Sequence, residues 1–464
     1  MVFSSLEFIF RFFPIFLVIY YAMPDKHRNK VLFIGSLCFY ALGDFRYLPL
    51  LLVSIGINYL AVRQMLQHRE RARAWLTGAL IFNIGTLFFF KYIDFLIENV
   101  NLFLKLFHSG ISIASFHLDL PLGISFYTFQ IISCVVDVYR GDIGEELTLS
   151  GFATYVAMFP KIISGPITSF GELAKELSVR KYSLFKLEMG LRFFILGLGM
   201  KVLVADRLGL LWNDIQTIGF ESISTPLAWL GSVGYSIQLY LDFQGYSLMA
   251  IGIGRMLGFY LPSNFSHPYI AKSVTEFWRR WHKTLGMWFR NYVYIPLGGN
   301  RRGNVRLAGN LFVVWLLTGL WHGASWNYVL WGLVLFLLIF LEKLFFKPVL
   351  DKSRILSRCY MLFVIPITWM IFAINHLKQL GIYLGRMFGL YQGVNVNPGD
   401  FTKYLLQYKW LFLAGGFLCL PYGKKIFSKY QNHLICTVFL LVIFWYCVYL
   451  LSNGANNPFL YFKF

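Results

Sequence analysis

Long apolar runs recur along the whole chain, at Leu6–Met23, Leu76–Phe90, Leu191–Ala205, Tyr328–Leu341 and Leu434–Leu451. Each approaches the ~20 residues that carry a helix across a bilayer. Two other runs, Val31–Leu42 and Leu307–Leu320, are too short to span. They predict tilted, re-entrant or half-membrane helices, which survive only where they pack on protein or line a cavity. The pattern therefore predicts an all-α, polytopic membrane protein with about 10–12 membrane-embedded helices, some of them short or re-entrant. The first run is not expected to be a cleaved signal, because Glu7 and Arg11 interrupt it and it ends in Met23-Pro24-Asp25 without a small-residue cleavage site. No domain-sized soluble insertion, low-complexity run or clear repeat divides the rest, so residues 1–464 are expected to form one membrane domain.

The polar positions between the runs add orientation. Only 14% of the 464 residues are charged, against 57% hydrophobic, where a soluble domain carries ~25% charged. The formal charge of +20 sits mainly in short loops: Asp25–Lys30, Arg63–Arg73, Val179–Lys186, Ala271–Arg306, Lys343–Arg358 and Lys424–Lys429. That is the positive-inside pattern and not a nucleic-acid footprint, so these loops are expected to face the cytoplasm and the amino terminus to lie outside. Asp214–Thr225 and Gly393–Asp400 carry no basic residue and are expected to face out. Six scattered cysteines form no CxxC pair, so neither a disulfide framework nor a metal site is expected.

The longest basic loop, Asn264–Arg306, reads "NFSHPYIAKSVTEFWRRWHKTLGMWFRNYVYIPLGGNRRGNVR". Trp278, Trp281, Leu285 and Trp288 recur at helical spacing, with Arg279, Lys283 and Arg290 on the other face. This predicts an amphipathic helix at the membrane interface, which anchors the chain, forms a cytoplasmic mouth for an anionic ligand, or both. The ligand-binding candidates are Trp278, Arg279, Arg280, Lys283, Arg290, Arg301 and Arg302. "PLGGNRRG" suits a tight turn with free backbone donors but lacks phosphate-loop spacing.

Among nine histidines, His322 stands apart. It sits between two tryptophans in "LTGLWHGASWNYVLWG" (Leu317–Gly332), with apolar residues on both sides. If Leu307–Trp321 is helical, His322 lies roughly 20 Å from the cytoplasmic end of that segment. A polar residue so deep in a membrane protein points to function, as a base or a proton relay. His282 alone could be a surface residue. Gln130 and Asp242 are candidates for a cavity wall, or for hydrogen bonds between helices. His108, His117 and His376 lie near membrane edges without an identifiable partner.

These segments carry a resemblance. "FWRRWHKTLGMWFRNYVYIPLGGNRRG" and "LTGLWHGASWNYVLWG" are similar to the two best-marked blocks of the membrane-bound O-acyltransferase superfamily, in particular its bacterial alginate O-acetylation type. "PLGISFYTFQIISCVVDVYRGDI", "MFPKIISGPI", "YLDFQGYSLMAIGIGRMLGFYLPSNF" and the opening "MVFSSLEFIFRFFPIFLVIYYAMP" match in type and order. The likeness covers most of Met1–Leu335 and fades in Phe345–Asn453. Lys161 stands where a glutamine is common, Asn291 where an aspartate is, and Thr318 where a serine is.

The resemblance implies helices around a central catalytic cavity, in a multi-pass protein of the bacterial inner membrane. It implies His322 as the catalytic base and His282 as the assisting residue. No cofactor is implied, and acetyl-coenzyme A or another acyl thioester would be the donor substrate on the cytoplasmic side. The acceptor would be hydroxyls of a cell-envelope or exported polysaccharide, served by an extracytoplasmic esterase-like, acetyl-transferring partner protein. Acyl transfer to an alcohol needs a base and donors for the oxyanion. The tail "SNGANNPFLYFKF" (Ser452–Phe464) reads as an aromatic interfacial belt; the family type often has a tyrosine here, which makes Tyr461 a candidate acyl relay. Two alternatives stay open: D-alanyl transfer of the teichoic-acid type, and a proton-coupled transporter or flippase of an envelope precursor, although the paired repeats common in transporters are missing.

Overall fold

The structure is a computed structural model that describes residues 1–107, 110–144, 147–301, 303–454 and 460. His108, Arg302 and Tyr461 lie outside the described residues. Among the described residues every regular element is helical. Six stretches are long and apolar enough to cross a membrane: Asp25–Gln67, Arg69–Leu106, Gly303–His322, Trp326–Lys352, Arg354–Ala373 and Leu434–Ser452. Large apolar side chains such as Val438, Phe439, Val442 and Trp445 are exposed on the last of these, as expected of a surface meant for lipid rather than water. The chain is an all-α, multi-pass membrane protein.

The chain forms two compact units, Met1–Gly190 with Ala250–Pro262, and Leu191–Met249 with Ser263–Phe464. The helices run α1 (Phe13–Ala22), α2 (Arg28–Asp44), α3 (Leu48–Gln67), α4 (Ala72–Leu106), α5 (Ile124–Arg140), α6 (Leu149–Ala157), α7 (Phe159–Ile162) and α8 (Phe170–Ser178). Next come α9 (Leu184–Gly199), α10 (Asp206–Ile218), α11 (Thr225–Met256), α12 (Val274–Arg280), α13 (Lys283–Phe289), α14 (Gly303–His322) and α15 (Trp326–Leu341). The remainder are α16 (Lys347–Lys352), α17 (Arg354–Ala373), α18 (Leu377–Met387), α19 (Asp400–Cys419), α20 (Tyr422–Tyr430) and α21 (Leu434–Ser452).

The apolar pattern underestimates several helices. Val31–Leu42 lies within the 17-residue α2, and Leu307–Leu320 within the 20-residue α14. The cause is common to both: the polar residues Arg28–Lys30 and Gly303–Arg306 continue the helix rather than end it. α14 is thus long and apolar enough to span a membrane, where the run alone is too short.

In the first unit, apolar burial alone cannot join helices already surrounded by lipid, so polar pairs and close packing do it. Asn58 on α3 and Asn83 on α4 exchange amide hydrogen bonds of 3.2 and 2.6 Å. Phe3, Phe8, Phe39 and Phe159 pack edge to face or tilted around the amino-terminal turn.

In the second unit the tightest contact is the α14–α15 hairpin. A Cβ on Gly319 would lie 2.3 Å from the Tyr328 carbonyl oxygen, and one on Gly332 would lie 2.4 Å from that of Trp315. The two backbones therefore touch directly, as small residues allow in membrane helix pairs. Asn327 then donates to the carbonyls of Ile371 (3.3 Å) and Phe372 (2.9 Å), tying the start of α15 to the end of α17.

This contact leads to a stability prediction. Gly332→Ala is expected to lower stability by about 1–3 kcal/mol, the usual cost of overpacking, read as thermal unfolding in detergent. Gly309, also on α14, has open space where its Cβ would be. Gly309→Ala should be neutral or slightly stabilising, and equal effects for the two would refute the packing argument.

Candidate active site

Sequence spacing predicts one helix through Trp278–Trp288, but the structure breaks it in two. α12 ends at Arg280 and α13 begins at Lys283. The Lys283 N–H goes to the Asn264 carbonyl (2.8 Å) instead of back along the helix, and the Arg280 carbonyl accepts from the Ser266 N–H (3.0 Å). Thr284 Oγ1 also donates to Asn264 Oδ1 (2.7 Å). At the break His282 takes a left-handed backbone, φ 41°. That conformation is uncommon for a residue with a Cβ and is held only where surroundings impose it. The break turns His282 inward, where it is 2% exposed.

The start of α12 is fixed from α15. The buried Glu342 carboxylate accepts from the N–H groups of Val274 and Thr275 and from Thr275 Oγ1 (2.7 Å). The apolar face does not lie on lipid. Trp281, Leu285 and Trp288 are buried in protein. Trp278 packs edge to face against Trp315 (5.2 Å), Trp331 (5.3 Å) and Trp369 (5.7 Å). The expected interfacial anchor is instead one wall of a tryptophan core.

His322 is the last residue of α14, 4% exposed. Its ring sits edge to face between Trp331 (5.1 Å) and Phe372 (5.2 Å). Trp321 lies between the two imidazoles, its centroid 4.9 Å from His322 and 6.2 Å from His282. Desolvation pushes the His282 imidazole down to about 3, so it is neutral near pH 7.

Both histidines line one cavity of about 1050 Å³. Its lining includes the apolar side chains Trp278, Trp281, Leu311 and Trp315, with Thr318 one turn before His322. It also includes Arg279, Lys283, Arg290, Arg301 and Lys343, and among the described residues no carboxylate lines it. Such a cavity attracts anions and seats an apolar group beside two imidazoles.

The structure thus gathers His322, His282, Trp278, Arg279, Lys283, Arg290 and Arg301 around one space. Arg280 is not with them: it pairs with Glu276 (2.7 Å) and donates to the Ser266 carbonyl (3.0 Å). Asp242 does not line the cavity either; it is bonded to Lys201 (2.8 Å), while its neighbour Phe243 packs edge to face on His282 (4.7 Å). Gln130 lies in the first unit, wholly buried on α5. The Gly298 and Gly299 N–H groups, expected to be free, donate within the turn to Ile295 and Tyr294 (2.9 Å each). Lys343 was missed. It lies beyond the longest basic loop in sequence, in the helical turn that follows α15, and α15 packs against α12, a contact with no local signal.

Comparison with known proteins follows the same lines. Residues 143–383 match the model of the MBOAT, membrane-bound O-acyltransferase family. The chain is 39% identical to a probable alginate O-acetylase AlgI of Pseudomonas syringae pv. tomato, over 93% of this chain and 83% of that one. It is 37% identical to a peptidoglycan O-acetyltransferase of Helicobacter pylori, over 72% and 69%. Against a teichoic acid D-alanyltransferase of Bacillus subtilis it is 29% identical, over 63% and 72%.

Burial of a neutral His282 makes stability depend on pH. The unfolded imidazole takes up a proton near pH 6.5, whereas the folded one resists until about 3. Between these values the unfolded state binds more protons, so stability falls as pH drops from about 6.5. Thermal midpoints in detergent at pH 7 and pH 5 should differ, and His282→Gln should flatten the difference. An unchanged slope in that variant would place the titrating group elsewhere.

Proposed function

The chain belongs to the membrane-bound O-acyltransferase family, and we propose that it moves an acetyl group from a cytoplasmic thioester donor towards hydroxyls of a cell-envelope or exported polysaccharide, with His322 as general base. One observation carries this reading: two buried imidazoles and five cationic side chains line a single cavity, with no lining carboxylate among the described residues. The cations suit the phosphates of a nucleotide thioester such as acetyl-coenzyme A, with Arg279, Lys283, Arg290, Arg301 and Lys343 as its contacts. The tryptophan wall suits the pantetheine arm and keeps water from the thioester. Acetyl transfer rather than D-alanyl transfer is supported by the names and the higher identities of the alginate and peptidoglycan relatives.

The chemistry needs one proton transfer and one exchange of bonds. His322 takes the proton of the attacking hydroxyl while its oxygen bonds to the acyl carbon. The tetrahedral oxyanion collapses, the carbon–sulfur bond breaks, and the thiolate leaves with the proton as free thiol. A neutral imidazole at His282 is suited to donate a hydrogen bond to the oxyanion. The hydroxyl belongs either to the acceptor itself or to Tyr461, which would then hand the ester to an extracytoplasmic esterase-like partner. Insertion in the bacterial inner membrane fits this direction of transfer.

His322→Ala is expected to lower acetyl transfer by roughly 10²–10⁴-fold, the usual worth of a general base, with normal membrane insertion. Labelled acetyl-coenzyme A and purified protein measure it, and near-normal turnover would end the mechanism.

Two adjacent arginines should separate binding from architecture. Arg279→Ala should raise the apparent KM for donor with little change in kcat. Arg280→Ala should instead lower thermal stability, since it loses Glu276 and Ser266. The same KM rise in both would mean that the arginines act only through net charge.

A further inference from the structure

Three buried charges in the second unit take no part in this chemistry. Lys201 lies in a π-helical turn, Met200–Ala205, between α9 and α10. Its Nζ is 2.8 Å from Asp206 Oδ1 and 2.8 Å from Asp242 Oδ1. All three side chains are nearly sealed from solvent. Two glycines make the arrangement possible. A Cβ on Gly197 of α9 would lie 2.3 Å from the Gly245 carbonyl oxygen, and one on Gly245 of α11 would lie 2.6 Å from that of Gly197. The backbones touch there, and Lys201, one turn on from Gly197, meets Asp242 on α11.

One buried ammonium thus faces two carboxylates, a costly group to enclose. Asp242, the carboxylate carried by α11, has its second oxygen turned another way. Oδ2 accepts the backbone N–H of Leu460, at 2.9 Å, from 218 residues further along the chain. A charged acceptor on a backbone donor is among the stronger hydrogen bonds.

We propose that Lys201 and Asp242 are a positioning pair that docks the C-terminal tail through the Leu460 amide. Lys201 fixes the Asp242 carboxylate so that one oxygen always faces the tail. The docking rests on this geometry alone. That the docked tail serves acyl transfer rests on the reading of Tyr461 as an acyl carrier.

The test uses the full chain in detergent with a trifluoromethyl-phenylalanine placed at position 464, read by fluorine NMR as docked and free signals. Asp242→Leu, which leaves Lys201 its Asp206 partner, should lower the docked-to-free ratio roughly 10- to 100-fold, the range for losing a hydrogen bond to a charged group. Asp242→Asn keeps an oxygen that can accept the N–H and should restore part of that ratio, which a role in fold stability alone would not produce. Leu460→Pro removes the amide hydrogen and touches none of the three charged groups, so it decides the matter even if Asp242→Leu does not fold. Unchanged docking in Leu460→Pro would overturn the proposal. A freed tail with acetyl delivery reduced supports both readings. A freed tail with undiminished delivery supports the docking and removes Tyr461 from the acyl route.

Discussion

The second unit depends on how closely α14 and α15 approach. With no Cβ at Gly319 or Gly332, two backbones come into direct contact, and several contacts at the site follow. His322 ends α14 at the turn of this hairpin, so the depth of the imidazole is set by the helix's length and its tilt by the hairpin's packing. Trp331, one residue before Gly332, is carried against both His322 and Trp278. Glu342, further along the same helix path, reaches the amino-terminal end of α12. A single backbone contact thus helps to place His322, its aromatic walls and the start of the segment that bears the second imidazole.

The site itself is built against local preference. His282 occupies a backbone region that favours glycine, and two tertiary hydrogen bonds across to Asn264 and Ser266 replace what the helix would have supplied. The same break that strains the backbone buries the ring and keeps it neutral. Natural chains keep such conflicts mainly where a function needs them. Lys201 and its two carboxylates show a second conflict, a charged cluster inside apolar helices, and it too meets a segment from far along the chain.

Much of this is legible in the sequence, for definable reasons. The apolar runs give the all-helical class, because a bilayer leaves few alternatives. His322 is visible because nothing else ionisable is near it, and the basic loop shows most of the cationic lining. What escapes depends on contacts between distant segments. The break at Trp281–His282 has no glycine or proline to announce it, only Asn264 waiting in the fold. Lys343 reads as an ordinary loop cation. Arg280 looks equivalent to Arg279, although its i,i+4 spacing to Glu276 offers a hint. Asp242 reads as a cavity polar group until Lys201 and Leu460 are seen on either side of it.

The cationic lining of the cavity has a consequence for the protein as a whole. Five like charges around one space repel one another, and among the described residues no carboxylate of the lining relieves them. Counterions drawn from the medium screen that repulsion, over a Debye length of roughly 8 Å at physiological salt. An anion that enters the cavity takes their place. The free energy of its binding is then also free energy of folding, since whatever binds only the native state holds it there.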